Sequence, residues 1–185
     1  LPLPPGTLPT LWGDDQRYID SYLSAFEGYY LSGDGGYVDE DGYLFVMGRT
    51  DDVLNVAGHR LSTGSLEEAL SGHPSVAECA VIGVRDDLKG QVPRALVVLK
   101  AGVDVSDPND LEALQAELVK RVRDEVGAVA SLRQVDVVAA LPKTRSGKIL
   151  RKTMRQMADG QEAMVPSTIE DRSVLTDLGE VLKRQ

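Results

Sequence analysis

The amino-acid sequence predicts an α+β protein: a small domain in which a sheet is flanked by helices, preceded by a helix and a hairpin. Three observations carry this expectation. Val76–Val84 (VAECAVIGV) is an almost unbroken apolar run rich in branched residues, as a strand covered on both faces requires. Arg94–Lys100 (RALVVLK) repeats the pattern. Between that run and a third at Leu132–Leu141, apolar residues at 111, 114, 118 and 122 fall at helical spacing.

Taken in order, LPLPPGTLPTLW has neither period and reads as an extended, proline-rich surface segment. The chain opens on Leu1 instead of methionine and reads as a fragment. Apolar residues at 19, 22, 23 and 26 predict a short helix over Asp15–Phe26, stopped by Gly28. Tyr29–Gly48 predicts a hairpin with its turn at Asp41-Gly42, because Tyr43, Phe45 and Met47 alternate after it. The polar link Thr50-Asp51-Asp52 can absorb a backbone rotation, as hinges do. Val53–Leu61 is expected to be one extended segment. Thr63 and the glutamates after it start a helix that should end near Gly72. Pro93 demotes the start of the second long strand. Asp107-Pro108 opens the helix that follows. A basic helix is expected over Gly147–Met157 and another over Asp171–Lys183.

With 185 residues, 42% of them hydrophobic, one respectable core can form. A net charge of −9 argues against a nucleic-acid partner. The single cysteine, Cys79, cannot form an internal disulfide, and no apolar run approaches membrane-spanning length, so a cytoplasmic protein without membrane association is expected. Two histidines, His59 and His73, are too few for a histidine-built metal centre. No serine–histidine–acid or cysteine–histidine arrangement supports a nucleophilic hydrolase.

Arg49 and Arg60 bracket the polar link and Asp34 precedes it, a combination that suits an anionic ligand with hydroxyls, such as a nucleotide. The Asp34 carboxylate could accept two ribose hydroxyls; bonding its own turn backbone is the competing use. In PKTRSGK, Lys148 ends a loop from which a point charge can reach a neighbouring site. It is not the lysine of a Walker-type phosphate loop, because proline stands at 142 where that loop needs glycine.

SGDGGYVDEDGYLFVMGRTDDVLNVAGHRLSTGSLEE at 32–68 and LPKTRSGKILRK at 141–152 together resemble the acyl-CoA synthetases of the adenylate-forming superfamily, in particular the short-chain acetyl- and propionyl-CoA synthetases. The resemblance implies that residues 1–50 end a large N-terminal adenylate-binding domain. Residues 51–160 would then form a mobile lid, and 161–185 a helical tail. It also implies ATP, Mg2+ and CoA as cofactors and a short-chain carboxylate as substrate, with the large N-terminal domain as partner. Lys148 is implied as the catalytic residue of adenylation, Asp34 and Arg49 as ribose ligands and Arg60 as α-phosphate ligand. Asp51 is the implied hinge of a domain alternation. Ala57 and Gly58 would line the pantetheine path, with alanine where relatives often carry serine, and Arg123 would meet the 3′-phosphate end of CoA. Backbone carbonyls of Ser71, His73 and Val76 would hold a hard cation. Since the matching lysine is reversibly acylated in the resembled enzymes, Lys148 is also an implied modification site. The alternative function is accordingly a regulatory interaction module, docking a lysine acetyltransferase or deacetylase through the basic 143–155 segment.

Overall fold

The computed structural model describes residue 3 and residues 5–183, which divide into two compact units between Asp51 and Asp52.

In the first unit, α1 (Asp15–Tyr22) is capped by the Asp14 carboxylate, which accepts from the Arg17 N–H. The helix ends four residues before the predicted Phe26. The Tyr22 carbonyl accepts the Leu31 N–H at 2.8 Å, and the Tyr22 ring stacks on Tyr30, so the returning chain takes the place of another turn. Strands β1 (Asp34–Val38) and β2 (Leu44–Arg49) form a hairpin with the predicted turn but begin at Asp34 instead of Tyr29, and the Asp39 carboxylate accepts the N–H groups of Asp41 and Tyr43 at that turn.

The second unit is built on a five-stranded sheet in the order β4-β3-β6-β5, with β7 also pairing β6. The single extended segment expected at 53–61 is in fact two strands, β3 (Val53–Val56) and β4 (His59–Ser62). Ala57 and Gly58 turn the chain between them, with φ of 49° and 85°. Positive φ at both central residues is the pattern of a type I′ hairpin turn, and alanine does not advertise it. Helix α2 (Thr63–Ser71) starts under a Ser62 cap and ends at Gly72. Strands β5 (Val76–Asp86) and β6 (Gly90–Leu99) pair antiparallel along their length. Pro93 lies inside β6, between Gly90, which pairs β3, and Arg94, which begins the β7 pairing, so the missing N–H interrupts neither. Helix α3 (Pro108–Glu125) has the predicted Asp107 cap and first-turn proline. Strand β7 (Gln134–Val137) runs parallel to β6.

Helix α4 (Arg151–Ala158) starts four residues later than predicted. Its would-be first turn is occupied by a hairpin in which Thr144 N–H donates to Lys148 O at 2.8 Å and Leu150 N–H to Pro142 O at 2.9 Å. Helix α5 (Ser173–Leu182) follows.

Alternation along β5 separates two core layers. Val81 joins Leu66, Leu70, Leu118 and Val122 of α2 and α3. Ala80 and Ile82 join Met154, Leu178 and Leu182 of α4 and α5. Buried Arg94 ties the second layer to the sheet: its guanidinium pairs with Asp136 at 2.7 Å and donates to the carbonyls of Val181 and Leu182 at the end of α5. A cation there also meets the negative end of the helix dipole. The outer edge of β5 is closed by side chains, since Glu67 accepts the Val81 N–H at 2.8 Å while holding Arg151, and Asp159 accepts the Arg85 N–H. Each of these two bonds takes an edge donor that an added strand would need. Among the described residues, no helix is long and apolar enough to cross a membrane.

Candidate functional site

In the first unit the hairpin register sets Asp34 opposite Arg49. The Arg49 guanidinium lies 3.9 Å from the Asp34 carboxylate and donates to Ser32 O at 3.2 Å. Gly33 makes room for it, because its φ is 78° and a Cβ there would stand 3.0 Å from the guanidinium. The Ser32 hydroxyl accepts the Asp34 N–H. Both charged side chains stay open to water, 51% and 41% exposed, so the pair contributes at most about 1 kcal/mol to stability. A ligand can therefore rearrange it at little cost. Asp34 also borders a groove of about 580 Å3 walled by Phe26, Tyr29, Tyr30, Tyr37 and Leu44.

In the second unit, Arg60 sits on β4 opposite Asn55 of β3 and is exposed. The turn beside it, Ala57-Gly58, is fastened by the Ala57 N–H donating to Lys89 O at 3.0 Å. Left-handed backbone at a non-glycine residue costs about 1–2 kcal/mol, and such strain collects at functional loops.

Lys148 is exposed at the end of the 142–150 hairpin, and its ammonium makes no hydrogen bond or ion pair among the described residues. The backbone around it is fixed: Lys148 N–H donates to the Thr144 hydroxyl at 3.1 Å, and Gly147 N–H to Thr144 O at 2.8 Å. The result is an unneutralised cation on a constrained stem.

Arg123, in the last turn of α3, borders a cavity of about 520 Å3 that sequence reasoning missed. Lys89 from the β5–β6 turn and Arg133 before β7 line it too, and none of the described lining residues is acidic. The Lys89 ammonium is steadied by the Ser131 hydroxyl at 3.0 Å. The turn that presents Lys89 is held by Asp86, whose carboxyl lies below its ordinary pKa because it accepts the N–H groups of Lys89 and Leu88. Three cations from three elements suit a multiply charged anion such as a phosphate monoester. Only Arg123 had a legible signal, because the other two lie in turns distant in sequence.

Ser71, His73 and Val76 lie where α2 ends and β5 begins. The His73 carbonyl accepts the Val76 N–H at 3.1 Å, which leaves it one lone pair for another partner. The buried His73 ring accepts the Ser75 N–H at Nδ1 and sets Nε2 3.3 Å from Glu117. Among the described residues, no group of three or more histidine, cysteine, aspartate and glutamate side chains could hold a metal ion. The Asp51 side chain lies outside the described residues; its backbone belongs to a single 3-10 turn, Thr50–Asp52.

Against known proteins, residues 65–148 match the model of the AMP-binding enzyme C-terminal domain. The chain is 50% identical to mouse acyl-CoA synthetase short-chain family member 3, mitochondrial, over all of this chain and 26% of that protein. It is 47% identical to an acetyl-coenzyme A synthetase of Gemmatimonas aurantiaca, over 98% of this chain and 27% of that one. It thus spans about a quarter of the length of these relatives. Among solved structures, an ATP-bound RpMatB-BxBclM chimera is similar with a TM-score of 0.65 and 27% identity, over 82% of this chain and 28% of the other. The amide bond synthetase McbA of Marinactinospora thermotolerans is similar with a TM-score of 0.59 and 31% identity, over 80% and 28%.

Proposed function

We propose that the chain, whose residues 65–148 match the AMP-binding enzyme C-terminal domain, is the C-terminal part of an ATP-dependent, AMP-forming acyl-CoA synthetase acting on propionate or acetate. In the first half-reaction a carboxylate oxygen attacks the α-phosphorus of ATP, forming the acyl-adenylate and releasing pyrophosphate. In the second, the CoA thiolate attacks the acyl carbon, and AMP leaves with the electron pair of the broken C–O bond. Lys148 supplies a preorganised positive charge where negative charge builds on the phosphate and carboxylate oxygens, worth about 10²- to 10³-fold in rate. Asp34 and Arg49 hold the ribose hydroxyls, and Arg60 the α-phosphate. The strained Ala57-Gly58 turn guides the pantetheine arm with backbone alone. Arg123, joined by Lys89 and Arg133, receives the 3′-phosphate of CoA. Mg2+ would be held by the Ser71, His73 and Val76 carbonyls, oxygen donors of the type it prefers. Rotation at Asp51 brings Lys148 in for adenylation and removes it before the thiol arrives, a gating step of the kind that runs in microseconds to milliseconds.

The observation that carries this reading is the open Lys148 ammonium, borne by a different compact unit from the one that pairs Asp34 with Arg49. Acid-dependent exchange of pyrophosphate into ATP tests it. The full-length protein should catalyse exchange with propionate or acetate, and the 185-residue chain alone should not. Turnover by the isolated chain, or no exchange by the full-length protein with any short acid, would overturn the proposal.

The exposure of Lys148 also favours a second reading, as the target of a lysine acetyltransferase. Acetylation would cancel the charge that adenylation uses. Incubation with such a transferase and acetyl-CoA should add an acetyl mass at Lys148; an unmodified lysine would refute it.

A further inference from the structure

The Lys148 hairpin is not a free loop. Its 143–145 arm has a second neighbour on the side away from Lys148: Arg145 N–H donates to Thr168 O, and Glu170 N–H donates to Lys143 O, both at 2.9 Å. Thr144 bridges Ile169 antiparallel, as Lys143 bridges Ile149 across the hairpin. The chain thus forms a three-stranded patch, with 148–150 and 168–170 on either side of 143–145. Two-stranded hairpins are marginal in water, and a third strand with a buried anchor changes that. Ile169 is the anchor, only 6% exposed.

The third strand is itself held from both ends. Upstream, the Thr153 hydroxyl of α4 donates to Met164 O at 2.8 Å, and Gln156 accepts the Met164 N–H at 2.9 Å. Downstream, α5 is fastened by Arg94 through its last carbonyls. Lys143 adds a lateral tie, pairing with Glu78 of β5 at 2.6 Å.

We infer that Thr168–Glu170 is a positioning strand for Lys148: it stiffens the hairpin so that the ammonium is delivered to the reacting oxygens in one geometry. The inference rests on the adenylation role proposed above and adds to it residues outside the 65–148 family match. The Glu170 side chain is exposed, so its contribution is the backbone N–H alone. Proline at this position deletes the bond to Lys143 O, and alanine keeps it.

In the full-length enzyme, Glu170→Pro should slow acyl-adenylate formation on the order of 10²-fold, the cost of about 1 Å of misplacement. Its thioester formation from supplied acyl-adenylate and CoA should stay at the wild-type rate. Glu170→Ala, with the N–H restored, should recover adenylation. Wild-type adenylation by Glu170→Pro, or parallel loss of both half-reactions, would overturn the inference. Hydrogen exchange on the wild-type enzyme tests it without a variant: the Arg145 and Glu170 amides should be protected, and exchange at the rate of open loops would also refute it. Lys148→Ala run alongside separates the two ideas. If it adenylates normally, the functional proposal fails; if it is impaired while Glu170→Pro is not, only the positioning strand fails.

Discussion

The two units differ in what they bury. Residues after Asp52 enclose two apolar layers in which Leu66, Leu96, Leu118, Met154, Leu178 and Leu182 are all but inaccessible. Among the described residues before it, Tyr18 is the one buried apolar side chain, while Trp12, Phe26, Tyr29, Tyr37, Tyr43, Leu44 and Phe45 lie open. A unit with so little buried apolar surface cannot offset the entropy of ordering its own chain. Contiguous exposed aromatic surface marks an interface. The second unit therefore encloses a core of its own, and the first does not. We propose that the large N-terminal domain of the full-length enzyme covers the first unit's aromatic face.

The sharpest way to break this contrast is at Arg94. Arg94→Leu strands the mostly buried Asp136 carboxylate and frees the end of α5, so it should destabilise the 185-residue chain by about 3–5 kcal/mol in urea unfolding. Leu70→Ala, a cavity between α2 and the sheet, should cost about 2–5 kcal/mol by the same measurement. In the first unit, Phe45→Ala should cost this chain only about 1 kcal/mol, since the ring is 44% exposed and stacks on Tyr37 with ring centroids 5.0 Å apart. In the full-length protein the same change should approach the 3–5 kcal/mol typical of a buried ring; equal small costs in both settings would mean that nothing covers the aromatic face.

The gentlest probe is Cys79. Its thiol is pushed up to about 11, first by burial and then by the neighbouring Glu67 carboxylate, with Arg151 opposing. A raised pKa keeps the unreactive neutral form, so alkylation of the native chain should keep accelerating toward pH 11, whereas an ordinary thiol with a pKa near ~8.5 levels off earlier. A plateau below pH 10 would show that the Glu67 neighbourhood is more open than described.

Much of this was legible in the sequence because it is written locally. Asp107 and Pro108 announce α3, and the branched runs announce β5 and β6. Of the candidate site, the structure bears on placement alone: Lys148 is exposed, and the hairpin register sets Asp34 against Arg49. What escaped depends on contacts distant in sequence or on backbone that the residue type does not advertise. Alanine at 57 hides a tight turn, so two strands read as one. Lys89, Arg123 and Arg133 meet at one cavity only after β7 has paired parallel to β6. Helix α4 starts late because hairpin bonds claim its first turn, and the pairing of 143–145 with 168–170 has no signature in either segment.

If Lys148 serves one half-reaction and is withdrawn for the other, as proposed, its loss must affect the two steps differently. Lys148→Ala in the full-length enzyme, assayed separately for each half-reaction, tests it most directly. Acyl-adenylate formation should fall by at least about 10²- to 10³-fold, while thioester formation from supplied acyl-adenylate and CoA proceeds at the wild-type rate. Equal loss in both half-reactions, or none in the first, would contradict the account.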